Sequence, residues 1–271
     1  MKKILIILMT TLFLASCSAT NNSEDLFTVG LECNYAPFNW LQPEESDTSV
    51  FVESAGGYCD GYDVQIASLI ADSLDKTLVI KQISWEGLIP ALQSSEIDAI
   101  IAGMSNTPER SLEVLFTEPY YVSDYVMVIP NDSAYLNATS IQDFSGANIV
   151  GQMNTAYDVI IDQIEGVNHL TPLGSYPLIV HALISDVADG APAEKPTALA
   201  IVEANPQLTF IEFSEGNGFE QSEDATTEVS IAVRLNDNEL ADQINEALNN
   251  ISYDTREELM NQAILSQGNA E

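Results

Sequence analysis

The stretch Asp63-Val64-Gln65-Ile66-Ala67-Ser68-Leu69-Ile70-Ala71-Asp72-Ser73-Leu74, with the segments that follow it to Ala102, decides the fold class. Its apolar residues fall at Val64, Ala67, Ile70, Ala71 and Leu74, the spacing of a helix buried on one face, with Asp63 as the expected N-cap. Leu78 to Ile83 alternates as a strand, and Trp85 to Leu92 turns Leu88, Ile89 and Leu92 inward as a short helix. Ile97-Asp98-Ala99-Ile100-Ile101-Ala102 reads as a buried strand, and Phe27 to Leu31 supplies another at the start. Strand–helix–strand–helix–strand predicts parallel βαβ units, hence an α/β protein.

Between the first strand and this stretch, residues 41–57 are polar, carry Pro43 and Gly56-Gly57, and read as a loop or hairpin. Downstream a second series begins at the strand Tyr125–Ile129. It continues with a strand at Asn148–Gln152, helices near 155–164, 175–185 and 195–204, and a strand at Leu208–Phe213. A last strand, Val229–Val233, precedes two periodic helices at about 237–250 and 254–266. Two α/β lobes joined by two crossings accommodate this element count.

The chain has 271 residues, long enough for two compact domains. Its 46% apolar content supports a real core. With 41 Asp and Glu against 8 Lys and Arg, the net charge of −33 excludes a phosphate-neutralising nucleic-acid binder. Each cation is correspondingly informative. Lys2 and Lys3 precede an apolar run, Ile4 to Ala15, too short to span a bilayer as a helix, which needs roughly 20 residues. A basic start, a short apolar core and small residues read as a secretory signal over 1–16. Leu14-Ala15-Ser16-Cys17 resembles a lipobox, which makes Cys17 the lipidated first residue of the mature chain and 17–25 a polar tether. An exported, lipid-anchored protein is expected, on the outer face of the cell membrane or in the periplasm. In that compartment Cys33 and Cys59 read as a disulfide closing about 26 residues, worth roughly 3 kcal/mol, two buried thiols being the other reading.

The segment Ala102-Gly103-Met104-Ser105-Asn106-Thr107-Pro108-Glu109-Arg110 follows a buried strand. Thr107 as N-cap and Pro108 at the first helical position predict a helix start there. With a glycine for close approach, hydroxyls and the planar fork of Arg110, it makes an anion seat. Tyr35-Ala36-Pro37-Phe38-Asn39-Trp40 is an aromatic cluster at a strand end, where α/β sheets bind ligands, and Glu32 and Trp85 stand at comparable places. Catalytic and metal signatures are missing: there is no G-x-S-x-G, H-E-x-x-H, Walker loop or G-x-G-x-x-G, and His169 and His181 lack ligand spacing. No cofactor, metal or catalytic residue is expected.

In order and spacing these pieces resemble the bacterial solute-binding protein family 3, the polar amino acid receptors of ABC importers. The resemblance spans about 27–266. It is carried by Val29-Gly30…Tyr35-Ala36-Pro37-Phe38, Gly61-Tyr62-Asp63-Val64, Trp85-Glu86-Gly87-Leu88-Ile89-Pro90-Ala91-Leu92, Ile97-Asp98-Ala99-Ile100, Ser105-x-Thr107-x-x-Arg110 and Phe116-Thr117-Glu118-Pro119-Tyr120-Tyr121.

The resemblance implies a two-lobe, type II periplasmic-binding-protein fold with two hinge crossings. Lobe 1 would take 26–126 plus 231–271 and lobe 2 would take 127–230. It implies a monomer that binds a free L-amino acid and delivers it to ABC permease and ATPase subunits. Arg110 would clamp the α-carboxylate, aided by backbone of Ala102, Gly103, Met104 and Ser105, by the Ser105 hydroxyl, and by Thr155. Glu194 would meet the α-amino group. Tyr35 and Trp85 would flank the ligand side chain, with Glu32 beyond, favouring arginine or lysine by cation–π contact and ion pairing. At one point the chain departs from the family pattern: Asn154 stands where the family has glycine. A receptor for a polar neutral amino acid such as glutamine, a same-fold sensory lipoprotein and a same-fold enzyme are the competing readings.

Overall fold

The computed structural model describes residues 25–222 and 225–267. Cys17, the signal segment and most of the tether therefore lie outside the described residues. The first half of the fold contains strands β1 (Leu26–Leu31), β2 (Asn34–Tyr35), β3 (Asn39–Gln42), β4 (Val50–Val52) and β5 (Gly57–Asp60). Helix α1 (Tyr62–Ser73), β6 (Thr77–Gln82), α2 (Leu88–Gln93), β7 (Ala99–Ile100) and β8 (Val114–Val122) follow. Then come β9 (Tyr125–Pro130), β10 (Asn148–Ile149), α3 (Ala156–Val159), β11 (Asn168–His169), α4 (Tyr176–Ile184), β12 (Ala191–Glu194), α5 (Lys195–Ala204) and β13 (Leu208–Ile211). The chain finishes with β14 (Glu228–Arg234), α6 (Asn238–Asn249) and α7 (Tyr253–Gln267).

The main sheet has the order β6-β1-β7-β14-β8. β1 runs parallel to β6 and β7, as expected where helices make the crossovers, and β14 returns antiparallel between β7 and β8. The second half is built differently from the first. Its sheet, β12-β9-β13, is wholly antiparallel, while the short β10–β11 pair is parallel, as are single bridges at Ile149–Gly190 and Gln152–Leu173. β9 carries five consecutive buried residues, which is why its run of Tyr125-Val126-Met127-Val128-Ile129 shows no alternation. The polypeptide passes from one sheet to the other at Ser123–Asp124 and returns before Glu228. Thr227 ties the two crossings together by donating its hydroxyl proton to the Ser123 carbonyl.

Several expectations change in detail. Asp63 is not the cap of α1. Gly61 occupies that position with φ 129°, where an added Cβ would lie 2.3 Å from the Phe38 carbonyl oxygen. Asp63 is instead fully buried inside the first turn, where it accepts from the Tyr120 hydroxyl at 2.6 Å and from Asn39 Nδ2 at 2.8 Å. No α-helix starts at Pro108: only a short 3-10 turn, Arg110–Leu112, forms before the chain enters β8. That nine-residue strand escapes sequence reading because Thr117-Glu118-Pro119 interrupts its apolar pattern. Pro119 is tolerated because β8 is an edge strand and its register with β14 shifts beside it. The expected 155–164 helix is one short α-helical turn, α3, continued as 3-10 over Ile160–Gln163.

Residues 41–57 form the hairpin side of a small sheet, β2-β3-β5-β4. The Cys33–Cys59 disulfide is formed and buried, joining the turn after β1 to β5. It ties the Glu32–Tyr35 segment, which enters β2, to β5 of the same sheet. Replacing both cysteines by serine is expected to lower the unfolding free energy by about 3 kcal/mol, from the chain entropy of a loop of this size. Urea denaturation of the double variant and its parent measures the difference; equal midpoints would show that the bond constrains nothing.

Candidate functional site

Three strand-end segments of the first half face a fourth segment across the crevice between the halves. The end of β1 supplies Glu32 and Tyr35, the turn after β6 supplies Trp85, and the loop after β7 supplies Gly103, Ser105 and Arg110. From the other half come Gln152, Thr155, Ala156 and Tyr157, and these ten residues line one narrow cavity. Seven of the sequence-predicted residues are thus brought together. Met104 is buried and lines a wider outer cavity of about 750 Å³. Ala102 is buried in the strand end and lines neither cavity. Glu194 lies deeper and connects to the cavity through Tyr157.

Arg110 spans the crevice. Its Nη1 donates to the Ser105 carbonyl at 2.8 Å and its Nη2 to the Asn154 carbonyl at 2.8 Å. Its Cζ lies 5.1 Å from the centre of the Trp85 ring, a cation–π arrangement. Burial lowers its pKa from the ordinary arginine value, yet far too little to discharge a guanidinium. The two hydroxyls expected at the carboxylate are engaged with backbone carbonyls: Ser105 Oγ donates to the Thr226 carbonyl at 3.0 Å and Thr155 Oγ1 to the Gln152 carbonyl at 2.7 Å. Gly103 is required by its φ of 59° and by the Tyr35 ring, whose Cε1 would lie 2.9 Å from an added Cβ. Its N–H donates to the Tyr120 hydroxyl at 2.9 Å, which in turn donates to Asp63.

Two carboxyls are buried around the cavity. Glu32 is 6% exposed, and burial pushes its pKa up to about 7, against the lowering effect of hydrogen bonds from the Trp85 backbone and the Gln152 side chain. Glu194 is fully buried, and burial pushes it to about 8 despite the bond it accepts on Oε1 from the Tyr157 hydroxyl. The Tyr157 hydroxyl also meets that of Tyr35 at 3.0 Å, and Glu194 Oε2 has no hydrogen-bond partner among the described residues. Tyr35 stacks on Phe38 with centroids 5.2 Å apart. Sequence reading missed Gln152, Ala156 and Tyr157. The first ends the strand expected at Asn148–Gln152, but nothing local marks Tyr157, whose role comes from meeting Tyr35 and Glu194 in space.

The family profile of bacterial extracellular solute-binding proteins, family 3, matches residues 27–265. The chain belongs to this family. Among relatives of this family 3 member is a Campylobacter jejuni protein named "Probable histidine-binding protein", 30% identical, the match covering 94% of this chain and 97% of the relative. The arginine-binding extracellular protein ArtP of Bacillus subtilis is 25% identical, covering 92% of each chain. In fold, the chain resembles the amino acid ABC transporter substrate-binding protein AbpA of Streptococcus pneumoniae, solved bound to L-arginine. The TM-score is 0.76 at 22% identity, covering 92% of this chain and 98% of that one. The architecture is the two-lobe fold of these proteins. No helix among the described residues is long and apolar enough to cross a membrane.

The raised carboxyls set the pH dependence of the empty protein. Each has a folded-state pKa above its unfolded value of about 4.5, so its contribution to stability is full below that pH and is lost as pH rises through about 7 for Glu32 and about 8 for Glu194. Glu194→Gln and Glu32→Gln are therefore each expected to raise the melting temperature of the ligand-free protein by ~2–6 °C near pH 8.5 and to change it little near pH 5. Thermal denaturation across that range reads the effect. A variant no more stable than its parent at high pH would mean that the carboxylate is well solvated.

Proposed function

We propose that this family 3 member is the extracytoplasmic substrate-binding component of an amino acid ABC importer, closing two lobes on a free L-amino acid that carries an extra positive charge. The observation that supports it most directly is the charge arrangement of the cleft. One guanidinium, Arg110, and one buried carboxyl, Glu32, line a single cavity with aromatic walls, and a second buried carboxyl, Glu194, lies directly behind its Tyr157. That is the complement of a zwitterion with a cationic side chain. Arg110 and the backbone around Gly103 and Ser105 would hold the α-carboxylate, Thr155 adding its N–H. Glu194 Oε2 would accept from the α-ammonium. Tyr35 and Trp85 would flank the side chain, with Glu32 and Gln152 at its far end. The arginine- and histidine-binding names of the relatives favour the same class.

In this reading lobe 1 comprises about 26–126 plus 231–271 and lobe 2 about 127–230, the sheets themselves changing over slightly earlier, at 123–124 and just before 228. The ligand gains contacts to both lobes only when they close, so binding drives closure. The protein binds and hands over its ligand to permease and ATPase subunits without transforming it, and an amino acid recovered intact after incubation supports that role. Arginine or lysine is expected to bind at least tenfold tighter than glutamine, with glutamate weakest, in calorimetric competition. Arg110→Ala is expected to weaken binding by ~2–5 kcal/mol, and a loss of less than threefold would remove Arg110 from the site.

A second reading has its own support. A Glu32 carboxyl with a pKa near 7 is partly protonated at neutral pH and can then donate to an amide oxygen, so glutamine fits the same pocket. The two readings separate on pH. Affinity for arginine or lysine should rise between about pH 6 and pH 8 as Glu32 ionises, and Glu32→Gln should abolish the preference for cations. A neutral amino acid that wins by tenfold establishes the glutamine-type receptor instead.

The chain is further proposed to be anchored through acylated Cys17 after removal of residues 1–16, outside the cytoplasmic membrane. Cys17→Ala is expected to shift the protein from the membrane to the soluble fraction on cell fractionation. Retention of the variant in the membrane would refute the anchor.

A further inference from the structure

One residue of the second half makes polar contacts with three groups of the first. The Asn154 carbonyl accepts from Arg110 Nη2 at 2.8 Å and from Trp85 Nε1 at 3.4 Å. Its side-chain Nδ2 donates to both oxygens of Glu86, at 2.8 and 2.9 Å. Asn154 has φ 57°, in the left-handed region that asparagine tolerates better than most residues other than glycine. The glycine that the family pattern has here would reach the same backbone conformation and keep both carbonyl contacts. It would lack the amide. The Glu86 contact is thus the one thing that asparagine adds at this position, and both residues line the wider outer cavity at the mouth of the cleft.

We propose that the Asn154 amide and the Glu86 carboxylate form a latch across the cleft mouth that favours the closed arrangement of the lobes independently of ligand. The inference rests on the closing-cleft reading above. Because the latch touches protein on both sides, it lowers the free energy of the closed form whether the cleft is filled or empty. Its effect on a bound ligand falls on release, since the lobes must part before the ligand leaves. Capture slows only in proportion to the closed fraction of the empty protein.

Asn154→Gly removes the amide while retaining the left-handed backbone, and Glu86→Ala removes the acceptor from the opposite lobe. Fluorescence energy transfer between dyes on the two lobes, with no amino acid present, measures the latch directly. Each single variant is expected to populate longer inter-lobe distances than the parent, and the double variant no longer ones than either single, since both changes break one contact. With arginine as the probe, koff should rise about three- to tenfold in each variant while kon changes less than about twofold. Parent-like distances in either single variant overturn the latch, as do additive effects in the double variant. The distance measurement needs no ligand, so a wrong assignment of the amino acid leaves this test intact, and a failed latch leaves the assignment of the amino acid untouched.

Discussion

The geometry of the cleft depends on one buried guanidinium. Arg110 is among only six basic residues after Cys17 in a chain of net charge −33, and it is placed where burial opposes its charge. A half-buried cation must be met by acceptors. Here they are two backbone carbonyls, Ser105 on its own side of the crevice and Asn154 on the other. The Trp85 face covers the group. The same three contacts therefore set the width of the cleft, hold the aromatic wall, and leave the remaining N–H groups of the fork available for an anion.

Behind Arg110 the loop is held by polar links rather than by packing alone. Gly103 N–H, the Tyr120 hydroxyl and the buried Asp63 carboxyl form a chain of hydrogen bonds that runs from the cleft floor into the first turn of α1. Burial pushes the Asp63 pKa up to about 6, so its ionised form depends on the donors Tyr120 and Asn39. A buried network of this kind favours one arrangement of the loop, because an alternative would break these bonds, although Asn39 Oδ1 has no partner among the described residues.

On the far side of the cavity the polar groups are less completely satisfied. Glu194 keeps one oxygen without a partner among the described residues, and Glu32 lies at the edge of a small sheet stapled by Cys33–Cys59. These buried carboxyls oppose the stability of the empty fold, as their raised pKa values indicate. A cation entering the cleft would supply the missing partner, which is how a binding site can be less stable empty than filled. The tyrosine hydroxyls of Tyr35 and Tyr157 connect the two lobes to Glu194, so closure and the state of that carboxyl are coupled through direct contact.

The architecture was largely legible in the sequence where it depended on periodicity. The stripes of α1 and α6 and the apolar run of β9 identify themselves, because burial of one helix face or of both strand faces imposes a pattern on consecutive residues. Gly103, Ser105, Arg110 and Trp85 were also legible, as a loop at a strand end with an isolated cation. β8 was not, since an edge strand with a bulge tolerates Pro119 and loses its alternation. Nor was the true place of Asp63, because a carboxylate at a helix start has the same local signature whether it caps the helix or is buried against Tyr120. Tyr157, Gln152 and the Asn154–Glu86 contact were beyond reach for one reason. Each acquires its role from a partner 37 to 122 positions away or across the cleft, and no local pattern encodes which distant segment will close over it. What the sequence by itself determined is the set of elements and the chemistry at their ends. Only the tertiary structure decided which of those ends face one another, because that choice is made by sheet order and by the two crossings between the lobes.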